Sequence, residues 1–238
     1  MNKNVLVTGA SKGIGKCISE ELANSGYNVF VSARNEKALK NTKFKAYCVC
    51  DLEKSTDLEK LSQFVKDNDI DILINNAGTY IYNPIENMDY SHIFEIFKIN
   101  SIAPSYLISK VVPNMKLKNW GRIVNIGSIS GVMGEAYASL YSATKASLNG
   151  LTKALALELA QDNITVNTIN PGWVDTELGN NSIEDSDFSK DEIIDCIPQR
   201  RFVEPIEVAN LVKYLISDEA KGLTGQSINL CAGLSVGI

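Results

Sequence analysis

The sequence predicts a doubly wound α/β fold: a parallel sheet with helices on both faces. Three observations carry that expectation. Short apolar runs alternate with longer helical patterns along the 238 residues. The runs are apolar throughout rather than alternating with polar residues, as expected of strands covered on both faces. A glycine-rich turn stands at the first strand-to-helix junction, where such sheets bind phosphates.

In chain order the strand-like runs are residues 5–7, 28–32, 46–50, 72–74, 122–126, 165–169 and 227–230. After the first, Ile18, Leu22 and Ala23 mark a helix. Leu58, Leu61 and Val65 fall at helical spacing, and Thr56 with Glu59 reads as a capping box before them. Leu148, Leu151, Leu155 and Leu159 mark a longer helix, and Pro205 opens a last one carrying Val208, Leu211, Val212, Leu215 and Ile216. Seven strands, no internal repeat and no linker predict a single domain over 1–238.

Composition excludes several classes of function. The net charge is −5, so no basic surface for nucleic acid is expected. No segment approaches the roughly 18 apolar residues of a membrane span. The first run starts close to Met1, which leaves no room for a targeting peptide and predicts a cytoplasmic protein. Cys17, Cys48, Cys50, Cys196 and Cys231 are odd in number and form no CxxC pair, so they read as buried free thiols. With His92 as the sole histidine, no metal site is expected. Cys48 and Cys50 should share one face of their strand.

The turn itself is Thr8-Gly9-Ala10-Ser11-Lys12-Gly13-Ile14-Gly15. Glycines allow a tight turn and close approach of backbone amides to a pyrophosphate, and the helix N-terminus that follows favours negative charge. The second strand ends in Ala33-Arg34, where NAD-binding sheets commonly place an acidic residue on the ribose 2′-hydroxyl. Arg34, with Lys12 nearby, suits a 2′-phosphate. A charged hydrogen bond contributes roughly 1.5–3 kcal/mol, about one to two decades, so NADP(H) is expected over NAD(H).

Tyr141 and Lys145 lie four residues apart on one helical face, and Ser128 precedes Tyr141 by thirteen residues. Carbonyl reduction needs a proton donor beside the oxygen. A lysine ammonium would lower a phenol from its usual value of about 10 towards working pH, and a serine would hold the oxygen in place.

Together with Asn75-Asn76-Ala77-Gly78, Asn100, and Pro171-Gly172 with Thr176, these motifs make the chain resemble the classical short-chain dehydrogenases/reductases over essentially its whole length. The resemblance implies a Rossmann-type domain. It implies Tyr141 as general acid/base, Ser128 as substrate anchor, Lys145 on the nicotinamide ribose, and Asn100 holding a water in a proton relay. Asp51 and Leu52 match the adenine contact; Asn76, with Ala77 and Gly78, the strand end beside the cofactor; Val174 and Thr176 the carboxamide contacts. A homotetramer, packed through the helices bearing Asn100 and Tyr141, is also implied. The segment from Arg34 to Tyr47 is shorter than the family's, so its helix should shrink to a turn or two.

The substrate is less determined. Tyr80, Tyr82, Ile129, Met133, Tyr137, Trp173 and Leu178 are candidate walls and suit a small or medium neutral carbonyl or alcohol. The nearest-looking subgroup is the 3-oxoacyl-[acyl-carrier-protein] reductase type, but Asn119 and Asp162 stand where its carrier-facing basic residues are expected, and Lys116 and Lys118 are near without clearly aiming there. From Asp175 to Cys196 the chain carries Asp175, Glu177, Glu184, Asp185, Asp187, Asp191, Glu192 and Asp195 against Lys190 alone, either a lid over 177–200 or a solvated loop. A non-enzymatic NADP(H) sensor is a further alternative, disfavoured because all four of Asn100, Ser128, Tyr141 and Lys145 are present.

Overall fold

The computed structural model describes residues 3–41, 43–184 and 188–236. Among these residues seven strands form one sheet, paired in parallel throughout, in the order β3-β2-β1-β4-β5-β6-β7. They are β1 (Asn4–Thr8), β2 (Asn28–Ala33), β3 (Ala46–Val49), β4 (Ile72–Asn75), β5 (Gly121–Ile126), β6 (Ile164–Pro171) and β7 (Ser227–Leu230). All seven expected runs are strands, with ends shifted by a residue or two. The order reverses between β1 and β4, and there the carboxyl ends open a crevice.

Side chains of successive strand residues point to opposite faces, so each strand feeds two cores. Val5, Val7, Val29, Val31, Ile72, Ile74, Val124 and Ile126 pack on one face with α1 (Gly13–Asn24) and α10 (Pro205–Leu215). Leu6, Phe30, Leu73, Ile123 and Val166 pack on the other with α3 (Ser55–Asp67), α5 (Ala103–Leu117) and α7 (Ser139–Leu159). Ile18 and Leu22 of α1 are wholly buried, each contributing roughly 1.5–3 kcal/mol relative to exposure. Cys48 and Cys50 both enter the second core, as alternation requires.

Short α2 (Glu36–Leu39) confirms the trimmed connection after Arg34. One local expectation fails. Helix α3 starts at Ser55 behind Lys54, with no side-chain cap, so Thr56 already lies inside the first turn and cannot cap it. Glu59 instead accepts a hydrogen bond from the Tyr106 hydroxyl on α5, which ties the two helices together.

Between α4 (Tyr90–Phe97) and α5 the backbone widens into a π-helical turn, Lys98–Ile102. Short α6 (Ser130–Met133) follows β5, and after β6 come α8 (Glu177–Glu184) and α9 (Lys190–Cys196). Asp185 and Asp187 of the acidic segment lie outside the described residues.

Candidate active site

The phosphate turn is fastened to the end of β4. The Thr8 hydroxyl accepts from the amides of Asn76 and Ala77, each at 3.0 Å, and the Asn76 side chain donates to the carbonyls of Thr8 and Gly9 at 2.9 and 3.3 Å. Gly9 and Gly13 have φ of +68° and +54°, which L side chains adopt only with strain. A Cβ at Gly15 would stand 2.3 Å from Asn76 Nδ2 and 2.4 Å from the Gly9 carbonyl oxygen. Helix α1 begins behind Lys12 without a side-chain cap, so its first amides remain available to an anion. The turn fits a pyrophosphate.

Around it, the cavity is lined by Gly9, Ser11, Lys12, Gly13, Ile14, Gly15, Arg34, Asp51, Leu52, Asn76, Ala77 and Gly78, and on its far wall by Pro171, Gly172, Val174 and Thr176. The Arg34 side chain is 74% exposed, with only a loose 3.9 Å contact to Glu53, and so is free to meet a phosphate. Lys12 is engaged elsewhere: its ammonium lies 2.6 Å from Glu177 at the start of α8.

At the inner end stand Ser128, Tyr141 and Lys145. Ser128 and Tyr141 face the same cavity, with Lys145 beside them. The Lys145 ammonium donates to the Ile126 carbonyl at 2.9 Å and lies 5.7 Å from the centre of the Tyr141 ring. Here an electrostatic expectation is corrected. Burial pushes the Tyr141 phenol up to about 12, outweighing the lowering by Ser128, and Glu135 pushes the same way as burial, so in the free protein burial rather than Lys145 sets the phenol. Burial also lowers Lys145 to about 8. At neutral pH the pair is therefore a neutral phenol beside an ammonium.

Asn100, in the π-helical turn, is buried behind this centre and is not part of the cavity wall. Its side chain accepts from the Thr79 amide at 2.8 Å and donates to the Thr79 carbonyl at 2.8 Å and the Thr144 hydroxyl at 3.1 Å. It pins the loop after β4 to α7. A Cβ on Gly78 would meet Asn100 Oδ1 and Lys145 Nζ, each at 3.3 Å, so both side chains flank that glycine.

Tyr80, Tyr82, Ile129, Met133, Tyr137, Trp173 and Leu178 all line the same cavity. Trp173 stacks on Phe202, with centroids 6.0 Å apart. Tyr137 has φ of +61°, a strained conformation for a tyrosine, and its carbonyl accepts from the Asn83 amide at 2.7 Å. Glu135 and Ser130 were not singled out from sequence. The Tyr80 hydroxyl donates to Glu135 Oε1 at 2.7 Å and the Ser130 hydroxyl to Oε2 at 2.6 Å. Ser128 Oγ donates to Ser130 Oγ at 3.2 Å, which links this carboxylate to the reacting centre. Nothing in a loop sequence separates such a glutamate from a solvated one.

The cavity holds about 1100 Å³, above the roughly 300–1,000 Å³ usual for a single small ligand, and so has room for a dinucleotide and a substrate together. Among the described residues no cluster of His, Cys, Asp and Glu is placed to hold a metal, and no helix is long and apolar enough to cross a membrane.

A switch-point crevice with an uncapped glycine turn at one end and a serine, tyrosine and lysine at the other defines a dinucleotide-dependent oxidoreductase. The chain belongs to the short chain dehydrogenase family, whose model matches residues 3–187. It is 36% identical to the 3-oxoacyl-[acyl-carrier-protein] reductase FabG of Staphylococcus epidermidis, covering 98% of this chain and 99% of that one. It is also 36% identical to the uncharacterized oxidoreductase YxjF of Bacillus subtilis, over 98% of each chain. Among solved structures, a variant of actinorhodin polyketide ketoreductase with NADPH superposes with a TM-score of 0.92 at 34% identity, over 99% of this chain and 98% of that one. The NADPH-dependent reductase YwfH, involved in bacilysin biosynthesis, gives 0.92 at 26% identity, over 98% of each.

Proposed function

We propose that this chain is an NADPH-dependent reductase that converts a carbonyl compound to a secondary alcohol, in a reversible reaction. The observation that carries the reading is the convergence of Ser128, Tyr141 and the buried Lys145 in the cavity that the phosphate turn opens. The bound dinucleotide would supply the hydride. Ser128 orients the carbonyl oxygen. Tyr141 gives its proton to that oxygen as the carbon accepts the hydride, and the Lys145 ammonium offsets the phenolate charge. Lys145 also binds the nicotinamide ribose, Asn100 holds the Lys145 side of the site in shape, and Arg34 meets the 2′-phosphate. With the whole constellation present, turnover is favoured over a sensor role.

The substrate is a small or medium carbonyl compound seated against Tyr80, Met133, Tyr137 and Trp173. The 36% identity to a 3-oxoacyl-[acyl-carrier-protein] reductase supports a second reading, reduction of an acyl thioester. Against carrier docking, Lys116 pairs with Asp162 at 3.3 Å and Lys118 with Asp71 at 2.8 Å, near the start of β5 and away from the cavity mouth. Residues 177–200 act as a substrate lid, a role supported by the side chains of α8 and α9 in the cavity wall. Exposed Tyr90, Phe94 and Ile102, beside the π-helical turn, support a homo-oligomer, read as a tetramer. Five free cysteines suit the cytoplasm.

The test follows NADPH oxidation against a panel of ketones, an acetoacetyl thioester, diketones and keto sugars, with NADH in parallel. Consumption with one class confirms the reductase and names its chemistry. NADPH binding without turnover of any compound refutes it in favour of the sensor.

A further inference from the structure

Glu135 is a carboxylate at the substrate end of a cavity whose cations lie elsewhere. Lys12 and Arg34 stand at the phosphate turn and the end of β2, and Lys145, beside Tyr141, is turned onto the Ile126 carbonyl; among the described lining residues no other lysine, arginine or histidine stands at the tyrosine end. Glu135 is only half-buried, so its free oxygen lone pairs reach the cavity. It is also held still. Tyr80 and Ser130 each occupy one of its oxygens, and a carboxylate has about four acceptor sites, so further donors can be taken. Ser130 bonds both Glu135 and Ser128, which fixes the offset between the carboxylate and the group that orients the reacting oxygen.

The walls around Glu135 are aromatic. Tyr82 and Tyr137 pack with ring centroids 5.5 Å apart, and Tyr80 leans edge-on against Tyr141. Ring faces beside a carboxylate attract a cation and repel an anion. We infer that Glu135 is the specificity-determining residue of this site and selects a carbonyl compound bearing an ammonium group a few bonds from its carbonyl. The inference rests on the carbonyl-reductase reading for what occupies the cavity and adds the charge that the occupant carries.

The test separates binding from turnover. Straight-chain methyl ketones ending in an ammonium, a hydroxyl, a methyl or a carboxylate group are titrated into the protein saturated with NADP⁺, which cannot donate a hydride, and Kd is read by calorimetry. The ammonium ketone is expected to bind roughly ten- to a hundredfold more tightly than its methyl counterpart. Glu135→Gln should erase that ratio, and Glu135→Lys should turn the preference towards the carboxylate. Equal affinities across the series, a preference for the hydroxyl or carboxylate ketone in the unaltered protein, or an ammonium preference that survives Glu135→Gln would overturn the inference. Ammonium-selective binding without any turnover on supplying NADPH would sink the reductase reading and leave the charge assignment standing.

Discussion

The ring of Tyr80 stands edge-on to that of Tyr141, with centroids 4.9 Å apart and planes inclined at 74°. The catalytic ring is thus positioned by contacts that do not involve its hydroxyl. Tyr141→Phe keeps the ring and this packing while removing the proton donor. Turnover with NADPH should fall by about two to four decades, with NADPH affinity largely intact. Near-normal turnover would defeat the proton-donor role.

Gly15 has no room for a methyl group between Asn76 Nδ2 and the Gly9 carbonyl. Gly15→Ala should open the phosphate turn and abolish NADPH binding, as measured by fluorescence titration. Unchanged affinity would show that the turn does not hold the pyrophosphate.

Arg34 is well exposed in the free protein, so its attraction for a 2′-phosphate is partly screened by solvent. Arg34→Leu should reduce the ratio of NADPH to NADH in kcat/KM by about tenfold, at the lower end of the range for a charged hydrogen bond. The loss should appear in the KM for NADPH, with NADH nearly unaffected. An unaltered ratio would remove Arg34 from cofactor selection.

Lys145 is held near 8 by burial and Tyr141 near 12. Below about 8 lysine is an ammonium and the phenol is neutral, the state that reduction requires. As pH rises through that value, lysine loses its proton well before the tyrosine does, and kcat/KM for carbonyl reduction should decline. Reduction that stays level to pH values close to that of the phenol would show that the charge on Lys145 is dispensable.

The sheet was legible because each strand is apolar on both faces, so Val5 to Val7 or Ile72 to Ile74 carry their burial in their composition. The turn, Ser128, Tyr141 and Lys145 were legible because chemistry restricts both their types and their spacing. Glu135 and Ser130 were not, since they reach the centre through the irregular path between Ser128 and Tyr141, where Tyr137 takes a left-handed conformation that no periodicity signals. The capping box at Thr56 failed for the opposite reason. Its pattern was satisfied, yet the chain entered α3 two residues earlier and Glu59 found a partner on another helix. The sign of the shift at Tyr141 depended on burial and on how far the Lys145 ammonium lies from the ring, neither of which spacing reveals.

The π-helical turn at Lys98–Ile102 carries a constraint on chain length as well as on residue identity. Each helical residue advances the chain by about 100°. Five residues wound with i→i+5 bonds sweep about the angle that four sweep in an α-helix, so deleting one residue to restore a regular helix would leave Leu107, Ile108 and Val111 of α5 nearly in phase with the core while withdrawing Asn100 from Thr79 and Thr144. In a comparison of many related sequences, this stretch should therefore accept substitutions at exposed Ile102 far more readily than any insertion or deletion.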